Sequence, residues 1–98
     1  MHNNSHNKAK ARHILVSDES LCREIKKDIE SGVDFSVMAF KHSQCPSGRR
    51  GGDLGTFDRG TMVAEFDQVV FNHSLQAIHG PIKTEFGFHL IEILERTS

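Results

Sequence analysis

The sequence predicts an α+β domain in which helices surround a small, mostly antiparallel four-stranded sheet, with the element order β-α-α-β-α-β-β. Stretches with strand-like alternation lie near the two ends of the chain, amphipathic helical stretches lie between them, and a glycine-dense loop occupies the middle. This mixture of elements is typical of a single α+β architecture. With 98 residues, the chain is long enough for one small domain, which we place at residues 9–97.

The first strand is predicted over residues 9–16, where side chains alternate between two faces of the backbone. One of these faces carries Ala11, His13 and Leu15. The preceding residues, 1–8, are rich in Asn, His and Ser and have no hydrophobic period. We expect them to form a disordered N-terminal tail.

Two helices are predicted next. Ser17 is the expected N-cap of the first helix and Gly32 its end, and one apolar stripe runs along it: Leu21, Cys22, Ile25 and Ile29. Because Cys22 lies on this stripe, we interpret it as a small core residue. Asp34 is the expected cap of the second helix, which would leave Phe40 exposed.

The second half of the chain predicts a short strand over residues 54–57 and a third helix over 63–71. Residues 72–79 carry no strong signal and are expected to form a connection. A short strand follows at 82–84, Gly87 permits a hairpin turn, and the clearest strand pattern covers 88–94, where His89, Ile91 and Ile93 share one face.

The candidate functional residues cluster around the glycine-dense loop. Five glycines lie within residues 48–60, which indicates a tightly folded backbone. Cys45 precedes this cluster, Leu54 lies inside it, and Met62 and Phe66 follow at helical spacing. The sequence therefore predicts an apolar pocket with one thiol at its rim, although Met62 and Phe66 at this spacing are also typical of ordinary core residues.

Composition excludes several other functions. The net charge is −1 and the basic residues are scattered, which argues against nucleic acid as the main partner. No apolar run approaches the ~20 residues of a membrane span, and the first residues do not resemble a signal peptide. The seven histidines lack metal-ligand spacing within any ordered element. We therefore expect a cytoplasmic, monomeric protein with two free thiols, no metal site and no membrane partner.

Several separated motifs, in order, resemble one known family. They are Ala-Arg-His-Ile-Leu-Val at 11–16, Asp-Phe at 34–35, His-Ser-Gln-Cys-Pro-Ser-Gly at 42–48, Gly-Gly-Asp-Leu-Gly-Thr-Phe at 51–57, Gly-Thr-Met-Val-Ala-Glu-Phe at 60–66 and Gly-Pro-Ile-Lys-Thr-Glu-Phe-Gly-Phe-His-Leu-Ile at 80–91. Together they resemble the parvulins, which are peptidyl-prolyl cis/trans isomerases, and in particular the small single-domain bacterial PpiC-like members. The resemblance implies a parvulin-like (FKBP-like) fold, substrates that are proline-containing polypeptides, and no cofactor.

The resemblance also implies roles for individual residues. It makes His13 and His89 the paired histidines on neighbouring strands, and Thr84 the threonine that is hydrogen-bonded to these histidines. It makes Cys45 the group that faces the Xaa–Pro bond. It assigns the proline-binding pocket to six residues: Leu54, Phe57, Met62, Phe66, Phe86 and Phe88.

Some alternatives stay open at this point. The two histidines either take part in catalysis or form a structural network beneath the pocket. Cys45 acts either through electrostatics or as a nucleophile, and we favour electrostatics because isomerisation breaks no bond. The protein is either an isomerase that assists the folding of unfolded polypeptides or a chaperone-like binding module with little turnover. Phosphoserine-directed parvulins carry basic residues after the first strand, whereas residues 17–20 here are acidic, so we expect no phospho-specificity.

Overall fold

A computed structural model describes residues 7–97 and contains four strands and three α-helices in the predicted order. A short 3-10 helix, Pro46–Arg50, precedes the second strand. The elements are β1 Lys8–Val16, α1 Glu19–Glu30, α2 Phe35–His42, β2 Asp53–Asp58, α3 Ala64–Asn72, β3 Ile78–Thr84 and β4 Gly87–Thr97.

The four strands form one sheet in the order β2-β1-β4-β3, and every neighbouring pair is antiparallel. The first and last strands of the chain are therefore the two central strands. Because both are flanked on each side, their backbone groups are paired within the sheet. The expected antiparallel sheet is confirmed.

The sheet has an apolar core on each face. The α3 face packs α3 against alternate residues of the central strands, including Ala11, Ile91 and Ile93, none of which is exposed to solvent. The α1/α2 face packs α1 and α2 against the intervening residues, including Ile14 and Leu90, which are equally inaccessible. Two faces buried by helices follow directly from the alternation of side chains along a strand.

Helix ends show one difference from the sequence prediction. Asp34 caps α2 as expected, since its carboxylate accepts the backbone N–H of Ser36 at 2.9 Å. At α1, however, the N-cap is Asp18 rather than Ser17, and its carboxylate accepts the N–H of Ser20 at 3.1 Å. Both side chains suit an N-cap, and the acceptor nearest the first free N–H groups takes the position. Cys22 is fully buried on α1, as predicted.

Other element boundaries also differ. β3 begins at Ile78 instead of 82, because Ile78 and His79 pair with β4, and this tertiary contact has no local sequence signal. β4 continues to Thr97, beyond the expected end at 94. Of the predicted N-terminal tail, residues 1–6 lie outside the described part, whereas Lys8 already belongs to β1. Among the helices of residues 7–97, none is long and apolar enough to cross a membrane.

Candidate active site

Two histidines from the central strands meet on the α3 face of the sheet. His13 lies on β1 and His89 on β4, diagonally across the antiparallel register in which Leu15 is the direct partner of His89. Their Nδ1 atoms are 3.0 Å apart and their rings are stacked, with centroids separated by 5.2 Å. Both side chains are almost completely buried.

Thr84 extends this contact across a third strand. Its Oγ1 lies 2.8 Å from Nε2 of His89, and the same oxygen accepts the backbone N–H of Phe86 at 3.1 Å. Thr84 ends β3 and pairs with Gly87 across the tight β3–β4 turn, so the backbone of the turn fixes its hydroxyl. A hydrogen-bonded chain therefore runs from β3 through β4 to β1.

The chain permits two proton arrangements. In one, the Thr84 hydroxyl donates to His89, which donates from Nδ1 to His13; in the other, His13 donates to His89, which donates from Nε2 to Thr84. One proton occupies the Nδ1···Nδ1 contact in both arrangements, so the two rings cannot both be imidazolium. Within residues 7–97, Nε2 of His13 has no hydrogen-bond partner.

Burial keeps these histidines neutral. Desolvation, together with the nearby His89, lowers the pKa of His13 to about 4. Desolvation also lowers the pKa of His89, an effect partly opposed by the negative charge of Glu65. At neutral pH the pair consequently presents two uncharged imidazoles that can donate and accept hydrogen bonds but carry no net charge.

Phe66 of α3 lies edge-on against both imidazole rings, with centroid distances of 5.4 Å to His13 and 5.5 Å to His89. Phe57 of β2 packs behind Phe66, at 6.5 Å between ring centroids. The aromatic rings thus hold the histidine pair against the sheet from the helix side. Geometry of this kind is typical of favourable aromatic contacts.

A cavity of about 340 Å³ opens beside the two histidines. Its wall is mainly apolar and includes a few polar side chains, which is typical of small-ligand sites. The lining residues are His13, Leu15, Gln44, Cys45, Pro46, Leu54, Met62, Val63, Phe66, Phe86 and His89.

Backbone contacts place Cys45 at the cavity rim. Gln44 donates its N–H to the carbonyl of Leu15 at 2.7 Å, which ties this segment to the end of β1. The hydroxyl of Ser47 lies 3.2 Å from the Cys45 sulfur. Behind them, a side chain at Gly52 would collide with the carbonyl oxygen of His13, so only glycine lets the loop approach β1 this closely.

The structure brings together most of the residues that the sequence singled out. His13, Cys45, Leu54, Met62, Phe66, Phe86 and His89 all line the cavity. Thr84 lies behind His89 and contacts it through the hydrogen bond described above. Met62 precedes α3 instead of belonging to it, so it reaches the cavity from a loop rather than from a helix face.

Two expected pocket residues lie elsewhere. Phe88 packs on the α1/α2 face of the sheet, because it is adjacent to His89 on a strand and adjacent side chains point to opposite faces. Phe57 is buried in the core of the α3 face and supports Phe66 without lining the cavity. The assignment of both residues to the pocket wall is therefore corrected.

Sequence reasoning also missed four lining residues: Leu15, Gln44, Pro46 and Val63. Leu15 shares a strand face with His13, and Gln44 and Pro46 flank Cys45, so strand alternation and chain proximity carried the signal for these three. Within residues 7–97, no group of three or more His, Cys, Asp and Glu side chains is arranged to hold a metal ion.

Comparison with known proteins places this geometry in a family. The family model described as Rotamase, PPIC-type PPIASE domain, matches residues 4–95. The foldase protein PrsA of Geobacillus kaustophilus is 40% identical over 90 residues, which cover 91% of this chain but 32% of that protein. The chain thus spans about a third of the length of this curated relative.

Solved structures of related proteins have the same fold. The crystal structure of PrsA from Bacillus anthracis superimposes with a TM-score of 0.89 at 36% identity, over 96% of this chain and 44% of that chain. The parvulin of Nitrosopumilus maritimus superimposes with a TM-score of 0.82 at 37% identity, over 91% of this chain and 97% of that one. The chain therefore belongs to the parvulins, the family of PpiC-type peptidyl-prolyl cis/trans isomerases.

Proposed function

We propose that this domain accelerates rotation about Xaa–Pro bonds in unfolded or partly folded polypeptides and so assists their folding. The observation that carries the proposal is the single cavity wall on which apolar side chains adjoin two neutral histidines and a thiol. The apolar part, formed by Leu54, Met62 and Phe66, suits a proline ring, and methionine adapts to irregular shapes. Membership of the isomerase family supports the same activity.

The barrier to be lowered is about 18–20 kcal/mol and comes from amide resonance. Holding the proline ring in the cavity anchors one side of the bond while the other side turns. The twisted amide is less conjugated than the planar one, so a dry wall stabilises it relative to water. Only contacts that are stronger in the twisted state than in the planar state raise the rate.

We assign catalytic roles to His13, Cys45 and His89, because all three side chains line the cavity in which the substrate carbonyl would turn. They adjust the electrostatic environment of the carbonyl oxygen as its double-bond character changes. Thr84 is a positioning residue, because its hydroxyl acts on His89. The hydrogen bonds that join His13, His89 and Thr84 also support a purely structural role for the two histidines. The variants His13→Gln and His89→Gln test this: if they are as active as the wild type when compared at matched stability, the role is structural.

Cys45 acts through electrostatics rather than through a covalent bond in this proposal. No bond is broken during isomerisation, and the sulfur already accepts a hydrogen bond from Ser47. Replacing Cys45 by Asp keeps a polar acceptor and removes the nucleophilic thiol. We expect Cys45→Asp to retain substantial activity and Cys45→Ala to lose more. Activity that is abolished by Asp and by Ala alike would instead support nucleophilic attack.

We further propose that recognition does not require a phosphorylated residue. In the segment after β1, Asp18 caps α1 and Glu19 pairs with Arg23 at 2.6 Å, so residues 17–20 supply no cation for a phosphate. The test is isomerisation of short peptides in which the residue before proline is varied, followed by NMR exchange. Leu, Met and Lys peptides should turn over faster than a phosphoserine peptide. A preference for phosphoserine would contradict the proposal.

A second function is favoured by the exposed apolar side chains Val33, Val37 and Phe40, which suit binding of unfolded chains. A holdase would bind an unfolded protein without turning over any of the peptides. The same peptide series therefore separates the two functions.

We also propose a monomer that acts in the cytoplasm. The two cysteines are unpaired, which suits a reducing compartment. Sedimentation across a range of concentrations tests the monomer, and cell fractionation tests the location.

A further inference from the structure

A second, larger groove adjoins the proline cavity. It has a volume of about 530 Å³, and Gln44, Cys45 and Pro46 line both spaces. Because these three residues face both spaces, the two spaces are neighbours on the surface, and a polypeptide bound in one can extend toward the other. An extended chain advances about 3.3 Å per residue, which places the second groove within a few residues of the proline.

The charge in this groove has one sign. Its lining includes Arg49 and Arg50 but no Asp or Glu. Both arginines are exposed, and within residues 7–97 neither forms an ion pair. Because the whole chain has a net charge of −1, this local excess of positive charge is not a general property of the surface.

The groove is rigid rather than a flexible loop. A Cβ at Gly48 would lie 2.8 Å from the carbonyl oxygen of Ala39, so the 3-10 helix packs tightly against α2. Ser47 is buried, and its carbonyl accepts the N–H of Gly52 at 2.8 Å. These contacts fix the backbone that carries the two arginines relative to α2, whose exposed Phe40 ring lines the same groove.

We propose that this groove is a second substrate subsite, in which Arg49 and Arg50 favour an acidic side chain near the proline while Phe40 covers the peptide backbone. The guanidinium fork matches a carboxylate, and charge complementarity improves both encounter and binding. This inference rests on the proposed isomerase function and adds the substrate preference of the same site. The preferred chain would carry Asp or Glu within about three residues of the proline.

The test is a peptide series in which the proline and the residue directly before it are fixed, and one Glu, Gln or Lys is placed in turn at each of the other positions within three residues of the proline. At one or more positions, the Glu peptide should have a kcat/KM about two- to fivefold above that of the Gln peptide, with Lys lowest, as expected for a solvent-exposed ion pair. The difference should lie in KM and should shrink as salt is raised.

Charge-changing variants locate the effect. Arg49→Gln/Arg50→Gln should bring the Glu-to-Gln ratio to one, and Arg49→Glu/Arg50→Glu should make Lys the preferred residue. The matched control is Lys27→Glu/Lys83→Glu, which changes the net charge equally at two exposed positions outside the groove. It should retain the Glu preference. Melting temperatures verify that all variants are folded.

Several outcomes would overturn the subsite. The first is a Glu-to-Gln ratio of kcat/KM that equals one at every position in the wild type. The second is a ratio that stays unchanged when both arginines are replaced. The third is a control variant that behaves like the groove variants. A phosphoserine preference without a Glu preference would reassign the groove to phosphate. A wild-type dimer that Phe40→Ser dissociates would reassign it to a second copy of the chain.

Failure of the isomerase proposal is distinguishable from failure of the subsite. Should the wild type turn over none of the peptides, the isomerase proposal fails. Affinities of the same peptides, labelled with fluorescein and measured by anisotropy, then decide the subsite by the same Glu-to-Gln ratio.

Discussion

The two faces of the sheet differ in how completely they are packed. On the α1/α2 face, Ile14, Ile25 and Leu90 are at most 1% exposed and pack in a closed apolar core. On the α3 face, the core is equally tight at Ile91 and Ile93, but toward the other end of the strands it gives way to two buried histidines and a cavity. Both faces therefore stabilise the domain, but part of the α3 face gives up close packing to hold a site.

Matched leucine truncations should show this difference most clearly. Leu90→Ala removes a fully buried side chain from the closed face, and we expect a loss of about 2–5 kcal/mol in the free energy of unfolding. Leu54→Ala removes a half-buried side chain from the cavity wall and should cost less than about 1.5 kcal/mol. Urea unfolding of both variants measures the difference.

Activity should show the opposite order. Leu54→Ala enlarges the proposed proline site and should lower kcat/KM, whereas the folded fraction of Leu90→Ala should remain active. Equal destabilisation by the two variants would mean that the α3 face contributes to stability as much as the closed face does.

The buried histidines should make the α3 face sensitive to acid. The unfolded state takes up a proton at His13 as pH falls through 6.5, whereas the folded state resists until about pH 4. Stability is therefore fully present above pH 6.5 and is lost between pH 6.5 and 4. At pH 5, this one group accounts for a loss of about 2 kcal/mol, and His89 shifts in the same direction.

Urea unfolding at pH 7 and pH 5 measures this loss. The control is His13→Gln, which does not titrate at that position and should show a smaller difference between the two pH values. A difference of the same size in wild type and variant would assign the acid sensitivity to carboxylates elsewhere in the chain.

The contrast between the faces also explains what could be predicted from sequence. Strand alternation placed Ile14 and His13 on opposite faces, and helical period placed Cys22 in the core, because these patterns depend on local geometry alone. The same alternation excludes Phe88 from the pocket, because Phe88 immediately precedes His89 on β4 and its side chain therefore points to the opposite face. The expectation that Phe88 lines the pocket came from the family resemblance and disagreed with the alternation along its own strand.

Tertiary contacts account for what the sequence did not predict. β3 starts at Ile78 because β4 is available to pair with it. The hydrogen bond between Thr84 and His89 was expected from the family resemblance, but no local pattern predicts it, because it needs the tight turn between their strands. The groove at Arg49 and Arg50 needs the 3-10 helix to pack on α2. None of these contacts has a period or a motif of its own, so each becomes visible only when the strands and helices are assembled.

Helix capping provides the smallest test of the comparison. On the closed face, α2 is capped by the Asp34 carboxylate, and Asp34→Ala should cost about 1 kcal/mol in the free energy of unfolding. On the α3 face, α3 begins after Val63, which makes no side-chain cap and instead lines the cavity. The N-cap position of α3 therefore holds a valine that lines the apolar wall of the cavity, where Ser, Thr, Asp or Asn would cap the helix better.

Val63→Asn tests this arrangement. The amide supplies a cap worth roughly 0.5–1 kcal/mol, and the lost burial of the half-exposed valine offsets it, so the melting temperature should change little. KM for proline peptides should rise, because a polar group then faces the ring. Val63→Ala, which neither caps the helix nor adds a polar atom, is the control and should raise KM less. A clear gain in stability with unchanged KM would show that Val63 serves neither the helix nor the cavity.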